Sequence, residues 1–481
     1  MGLAKGKLLA RGYRPRYVGL GFLWAWIYCT WFSPAVFGEA AGLTVNNSGT
    51  WIVSALFVTI SLFVSPFLFK RDLIGIPWVL QLAPLANAVG AFAMAHGALF
   101  EVSYPAVSLV GAAITGISSG WLWIMWGEFF GTVDLEVTYF TLPLTVAVPL
   151  CCILLTLCFQ GPAVAAVVCL LPLASGACLY LSTKDCKLVQ STGILPPMDV
   201  RMRVLKQGVA SFFIYVCISF CWSLVSYEAV GGWSREIVVA YLLGGAAAAA
   251  TAYLTTIFSP KRDVFGMHRW LVPATSFAFA ALILGTPISC AVAFCLITIV
   301  QYGFDIVVWI YFTGSVRSGV CTGRFAAGVN RGFVQVGVLV GSMIGMNAPA
   351  LELQAGLSEP FVILLLLGCM TAAVLMFFTS GRSDFEVRAA NERESSACGD
   401  LGDADRQSKN CDLLVERYSL TKRERDVLEL LAAGRSVPYI SEMLVVSKNT
   451  VESHVKAIYR KVGVHSRQEL LTRLQENLGD E

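Results

Sequence analysis

From Tyr17 to Ser380 the chain is a succession of long apolar stretches broken by short polar turns, and after Gly381 it becomes polar and charged. A helix that crosses a bilayer needs roughly 20 consecutive apolar residues. The pattern predicts such helices near 17–38, 51–69, 73–96, 103–130, 139–159, 162–182, 205–227, 236–258, 269–287, 288–313, 328–349 and 360–379. The fold class expected is therefore all-α: a polytopic bundle of twelve transmembrane helices over residues 1–382, in contact with membrane lipid. Residues 383–411 hold eleven charged side chains, seven of them acidic, among Ser, Gly and Ala. Such a segment cannot bury a core, and a flexible linker is expected.

Residues 412–481 return to helical periodicity on a smaller scale. Thr421-Lys-Arg-Glu424 reads as a capping box, followed by an apolar stripe of Val427, Leu428, Leu430 and Leu431, with Gly434 as the stop. Ser436 is placed to cap a short second helix holding Ile440, Met443 and Leu444, and Val445-Val-Ser447 forms the turn. Ser447 caps a third helix, with Val451, Val455, Ile458 and Val462 inward and Gly463 at its end. Ser466-Arg-Gln-Glu469 is a second capping box, opening a fourth helix with Leu470, Leu471 and Leu474. Four short helices around one small core make a helix-turn-helix module.

Charge tests the helix count. Lys and Arg favour the cytoplasmic side of short loops. They occur in the N-terminal segment (Lys5, Lys7, Arg11, Arg14, Arg16) and then in alternate loops: Lys70 and Arg71; Lys184, Lys187, Arg201 and Arg203; Lys261, Arg262 and Arg269; Arg317 and Arg324. The intervening loops are nearly free of them, with Arg235 the exception. Both termini are expected in the cytoplasm of a bacterial cell, the bundle in its cytoplasmic (inner) membrane. The basic N-terminus resembles a signal peptide, but the following run is long enough to span and shows no small-residue cleavage site, so it is taken as the first span. Most cysteines, such as Cys29, Cys151, Cys152, Cys217 and Cys295, lie in apolar segments without metal or disulfide spacing, and read as small apolar residues.

A short repeat links the halves of the bundle. Phe69-Lys-Arg-Asp-Leu-Ile-Gly75 follows the second span and Pro260-Lys-Arg-Asp-Val-Phe-Gly266 the eighth, with the longest interruption at 183–204 between the sixth and seventh. Two parallel six-helix halves resemble the major facilitator transporters. The family's first cytoplasmic motif is here reduced to Lys70, Arg71 and Asp72.

The tail carries a more specific likeness. Leu420-Thr-Lys-Arg-Glu-Arg-Asp-Val-Leu, Ser447-Lys-Asn-Thr-Val-Glu-Ser-His-Val and Lys461-Val-Gly-Val-His-Ser-Arg467 resemble the LuxR-type DNA-binding domain. The resemblance implies that the third helix enters the major groove of double-stranded promoter DNA. Lys448, Asn449, Thr450, Val451, Glu452, Ser453, Lys456, Arg460 and Lys461 form the implied contact set: Thr450 and Val451 near the backbone and groove floor, Glu452, Ser453 and Lys456 toward bases, and Lys448, Arg460 and Lys461 on phosphates. Glu452 departs from the Lys or Arg common there. It either accepts from cytosine N4 or points away and lowers non-specific affinity. From Leu413 the domain carries eleven basic and ten acidic side chains, so modest, salt-dependent binding is expected. The family implies a dimer through the fourth helix, where Leu470, Leu471 and Leu474 would serve, although they suit a core equally well.

No receiver pattern precedes the module within the chain, so its input is expected from the bundle, as in a one-component sensor. In the transporter fold the first, fourth, seventh and tenth spans line the cavity. Eight of the twelve tryptophans fall there: Trp24, Trp26, Trp31, Trp121, Trp123, Trp126, Trp222 and Trp309. Aromatic residues also gather at membrane interfaces, which accounts for Trp51, Trp233 and Trp270. Trp31, Trp121, Trp123 and Asp305 are the ligand-binding candidates, for a small molecule of aromatic character. Asp305 and Glu128 are the acids inside spans, where ionisable groups are functional candidates; Glu128 suits pairing with a loop Arg as well. No catalytic, cofactor or metal signature is present, so no enzyme is expected. Three readings stay open: a sensor that switches transcription, a transporter that also regulates, and a membrane part that only anchors.

Overall fold

The computed structural model describes residues 13–31, 43–69, 71–100, 104–159, 161–184, 196, 198–228, 235–258, 268–317, 321–348, 358 and 360–377, and most of 411–473. The chain falls into two compact units, Met1–Arg382 and Ser383–Glu481. The linker expected at 383–411 lies outside the described residues except for Cys411, which is helical and buried in the core of the second unit.

The first unit is a multi-span helical membrane bundle. After a 3₁₀ turn at Pro15–Gly19 its helices are α1 (Leu20–Trp31), α2 (Leu43–Leu68), α3 (Pro77–Phe100), α4 (Pro105–Thr132), α5 (Leu135–Cys158), α6 (Pro162–Thr183), α7 (Met198–Glu228), α8 (Arg235–Phe258), α9 (His268–Ile283), α10 (Pro287–Arg317), α11 (Gly323–Met346) and α12 (Pro360–Phe377). Ten of these are long and apolar enough to cross a membrane; α1 and α9, as described, are shorter. Lipid offers no hydrogen-bond partner, so each segment must satisfy its backbone within itself, which is why apolar runs become helices. Leu56, Ile60 and Val64, one helical turn apart on α2, stay exposed as a lipid-facing stripe.

The sequence places the third span at 73–96. In the structure Leu73–Gly75 forms a separate 3₁₀ turn and α3 begins at Pro77. Pro77 suits a first helical position because it lacks an N–H to satisfy.

Without a hydrophobic driving force between helices, close packing decides which pair. α11 presents Gly337, Gly341 and Gly345 to α7. A Cβ on these would come within 2.5 Å of the Phe212 carbonyl oxygen, 2.2 Å of that of Val216 and 2.8 Å of that of Phe220. Only glycine permits this approach. α2 against α11 and α5 against α8 join the front part of the bundle to the back.

The second unit has its own core, built from Leu414, Leu420, Val427, Leu428, Leu431, Ile440, Val451, Ile458, Val462 and Leu470. Its described helices include α13 (Lys422–Ala432) and α14 (Lys448–Val462). The capping box forms as the sequence requires: the Thr421 amide donates to Glu424 Oε2 at 2.7 Å, and the Glu424 amide to Thr421 Oγ1 at 3.3 Å. Gly463 ends α14 in the left-handed region at φ 73°. The expected Ser436 cap, the second capping box and Leu471 and Leu474 lie outside the described residues, whereas Leu470 belongs to the core.

Candidate functional sites in the bundle and the tail

The centre of the bundle is built on α4, α10 and α11. Arg331 on α11 donates from Nη1 to Asp305 Oδ1 on α10 at 2.8 Å, and both side chains are buried. The guanidinium lies 4.3 Å from the ring centre of Trp123 on α4 and 5.1 Å from that of Trp309. The two indoles are stacked, with centres 6.1 Å apart at 29°. Stacking a weakly hydrated guanidinium on aromatic faces offsets part of the cost of removing it from water.

Further rings continue the cluster. Trp24 lies 6.2 Å from Trp123 and 6.0 Å from Tyr302. Gln301 Nε2 donates to the Tyr28 hydroxyl at 2.6 Å, and the Tyr241 and Tyr302 hydroxyls share a short hydrogen bond. Trp222 packs on Phe294 at 4.6 Å. These side chains come from α1, α7, α8 and α10.

Of the candidates chosen from sequence, Trp123 and Asp305 are brought together, with Arg331 between them. Trp121 points elsewhere and packs on Phe69 and Trp78, at 6.0 and 6.1 Å. Trp31 is the last residue of α1 and half-buried. Arg331 is the residue that sequence reasoning misses, although a charged side chain within the apolar span expected at 328–349 is the signal that would find it.

A second polar cluster joins α4, α11 and the 69–75 turn. Glu128, near the end of α4, accepts from the Leu73 amide on Oε1 at 3.0 Å and from the Ile74 amide on Oε2 at 2.8 Å. The acid thus caps the 3₁₀ turn. Arg324, at the start of α11, donates to the Phe69 carbonyl and, at 2.9 Å, to the Arg71 carbonyl. At the same end Arg317 Nη1 donates to the Val133 carbonyl at 2.8 Å. Glycines allow the helices to meet here: a Cβ on Gly127 would lie 2.4 Å from that of Ala327, and one on Gly323 would lie 2.9 Å from the Glu128 Cα. These bonds bring the 69–75 turn and the start of α11 together, and the end of α10 to the 133–135 turn.

In the tail, Ser447 Oγ accepts from the Thr450 amide at 3.2 Å and starts α14. Val451 and Ile458 are buried, while Asn449, Thr450, Glu452, Ser453, Lys456 and Arg460 are exposed. Those at 449, 453, 456 and 460 recur at helical spacing and form one outward face. Ser453 Oγ donates to the Asn449 carbonyl at 2.8 Å. The Lys448 side chain lies outside the described residues. Lys461 has a task within the domain: its Nζ donates to Glu424 Oε2 at 2.7 Å and to the Ser419 carbonyl at 3.3 Å, tying α14 to α13. Burial alone would raise the Glu424 carboxyl, but the bonds from Lys461 and from the Thr421 amide outweigh it and hold it below the usual glutamate range.

The family profile described as bacterial regulatory proteins, luxR family, matches residues 418–474. The tail is a LuxR-type helix-turn-helix domain. Its relatives include the probable transcriptional regulatory protein NarL of Mycobacterium tuberculosis, 46% identical over 48 residues, which are 10% of this chain and 22% of NarL. The transcriptional regulatory protein DesR of Bacillus subtilis is 38% identical over 65 residues, 14% of this chain and 33% of DesR. The chain thus spans about a quarter to a third of these relatives, and the likeness stops at the LuxR-type domain.

The bundle has the major facilitator fold. A bacterial homologue of the iron transporter ferroportin, in its outward-facing state, superposes with a TM-score of 0.55 at 14% identity, covering 76% of this chain and 97% of the other. The proton:xylose symporter XylE gives 0.53 at 10%, covering 76% and 94%. The LuxR-type domain therefore belongs to a chain whose other part has a fold shared with transporters. Neither class is enzymatic, and no group of three metal-ligating side chains gathers among the described residues.

Proposed function

We propose that this chain is a membrane-bound, one-component transcription regulator: the transporter-fold bundle binds a small molecule and the LuxR-type tail binds promoter DNA. The observation that carries the reading is the fusion itself, a DNA-binding domain on a bundle whose centre holds a buried ion pair caged by indoles. In this reading α1 and α9 are counted as spans, giving twelve in two halves of six, with both termini in the cytoplasm of a bacterial cell. Trp123 and Asp305 belong to the ligand site, and Trp31 and Trp121 act at its margins. Asn449, Thr450, Glu452, Ser453, Lys456 and Arg460, with Lys448, face DNA, and two tails pair on two half-sites.

α11 supplies a route for the signal. Arg324 and Arg331 are seven residues apart, two helical turns, and so lie on one face about 10.5 Å apart along the axis. A ligand that moves Arg331 therefore acts on the helix whose first turn holds the 69–75 turn. Binding would shift a two-state equilibrium of the bundle and, through it, the pairing of tails.

The transporter fold favours a second version, in which the bundle also moves its ligand across the membrane. Two measurements separate the versions. Promoter output of cells carrying the chain is followed across a panel of small molecules, and uptake of the labelled inducer into vesicles is measured. Induction with uptake supports the dual role, and induction without uptake supports a sensor alone. If the tail alone, residues 412–481, regulates normally without any inducer, the bundle is only an anchor and the proposal fails.

A further inference from the structure

Where α3 meets the start of α4, a histidine has both ring nitrogens engaged. His96 Nδ1 bonds to the Ala93 carbonyl at 2.7 Å, and the Tyr104 amide donates to His96 Nε2 at 2.7 Å. A carbonyl can only accept and an amide can only donate, so the ring is neutral with its proton on Nδ1. The imidazole also stacks on the Tyr104 ring, with centres 6.0 Å apart at 11°. Tyr104 precedes Pro105, the first residue of α4, and its carbonyl accepts from the Val107 and Ser108 amides in the first turn of that helix. One acceptor nitrogen on α3 thus holds the residue from which α4 starts.

Protonation removes that acceptor. An imidazolium donates from both nitrogens, so it keeps the bond to Ala93 and loses the one to Tyr104, where two N–H groups would face each other. Helix dipoles act in the same sense: the end of α3 attracts a cation and the start of α4 repels it. Imidazole is the side chain that changes charge between pH 5 and 8. This one is half-buried beside an exposed Tyr104, within reach of water. Few other ionisable groups are near. Between Leu73 and Gly127 the others are Glu101 and Tyr104, and Glu101 lies outside the described residues. α6, the other helix packed closely on α3, brings Cys169, Cys178 and Tyr180, and no charged side chain before Lys184. Pro84 of α3 meets Gly176 of α6, so the later part of α6 lies beside the early part of α3, away from His96. We infer that His96 is a pH-operated latch: neutral, it holds the start of α4 to the end of α3, and protonated, it lets go. α4 carries Trp123 to Arg331 and Glu128 to the 69–75 turn, so the latch acts on the helix shared by both polar clusters. It adds a proton input to the regulator proposed above, and on the topology proposed there this end of α4 faces away from the cytoplasm.

The test uses the full chain in detergent and hydrogen exchange read by mass spectrometry. Exchange is measured at about pH 7.5 and about pH 5.5, either side of the ordinary imidazole value of about 6.5. Labelling times are scaled for the intrinsic pH dependence of amide exchange. Residues 104–108 of the parent are expected to exchange about fivefold faster at the lower pH, the scale of one net hydrogen bond. His96→Ala has no acceptor at either pH and is expected to exchange fast at both. His96→Gln offers a neutral acceptor at both and is likewise expected to lose the pH response. Glu101→Gln is expected to keep it. Equal rates at both pH values in the parent, a pH response that survives His96→Ala or His96→Gln, or one that disappears in Glu101→Gln would each overturn the inference. The readout needs neither ligand nor promoter, so its failure leaves the regulator reading standing. A latch that responds to pH in a chain whose promoter output answers no small molecule sinks that reading alone.

Discussion

Arg331 and Asp305 come from different helices and meet at 2.8 Å in the centre of the bundle, each buried. Separating such partners leaves one buried charge uncompensated, which costs about 3–5 kcal/mol, whereas removing both costs far less. Asp305→Ala is therefore expected to lower the unfolding temperature of the detergent-solubilised chain markedly. Adding Arg331→Leu is expected to recover much of the loss. Thermal unfolding of the two single variants and the double variant checks this, and a double variant no more stable than Asp305→Ala would show that the two charges are not coupled.

The approach of α4 to α11 depends on a contact that tolerates no side chain. Gly127→Val would drive a Cβ into that of Ala327, which lies 2.4 Å from its ideal position. α4 and α11 must then separate, loosening the Glu128 and Arg324 bonds to the 69–75 turn. Hydrogen exchange measured by mass spectrometry is expected to accelerate over 71–75 and 323–331 and to stay unchanged over 77–100. Gly49→Ala, whose Cβ would meet nothing within 4 Å, serves as the control.

The outward face of α14 predicts two kinds of DNA effect. Arg460→Ala, if it removes a phosphate contact, should weaken binding across all sequences and flatten the salt dependence by about one unit of slope, whereas Lys456→Ala, on the base-facing side, should relax preference at one base pair. Glu452→Gln distinguishes the two roles open to that acid. Loss of preference at one base pair by about 1–3 kcal/mol marks a cytosine contact, and a uniform gain in affinity marks an acid that repels phosphate. Gel-shift titrations at several salt concentrations provide both readouts.

The Glu424–Lys461 bond makes the stability of the tail sensitive to acid. The folded-state carboxyl lies below its unfolded value, so its contribution is fully present above the ordinary glutamate value of about 4.3 and is lost as pH falls through the folded one. Urea unfolding of the tail, which has its own core, is expected to show stability falling as pH drops below the ordinary glutamate value of about 4.3. Glu424→Gln should lower stability at neutral pH and reduce that slope. A variant with the parent's slope would assign the acid sensitivity to other carboxylates.

Much of this molecule was readable before its structure. Apolar run length settled where the helices lie, because lipid leaves a backbone no partner outside its own segment. Capping residues at Thr421, Glu424, Ser447 and Gly463 set the ends of the tail helices for an equally local reason, since each bonds within four residues. The motif from Leu420 to Arg467 established the kind of tail. What tertiary structure decided is everything that joins distant segments. Asp305 was marked by its position in a span, but its partner Arg331 and the two stacked indoles are set by how α4, α10 and α11 pack. Trp121 and Trp123 look alike in sequence, yet two residues along a helix turn one toward Phe69 and the other toward the ion pair. Lys461 reads as a phosphate contact until the fold sets Glu424 beside it. Local periodicity fixes which residues are helical; only packing fixes which charges are left to each other.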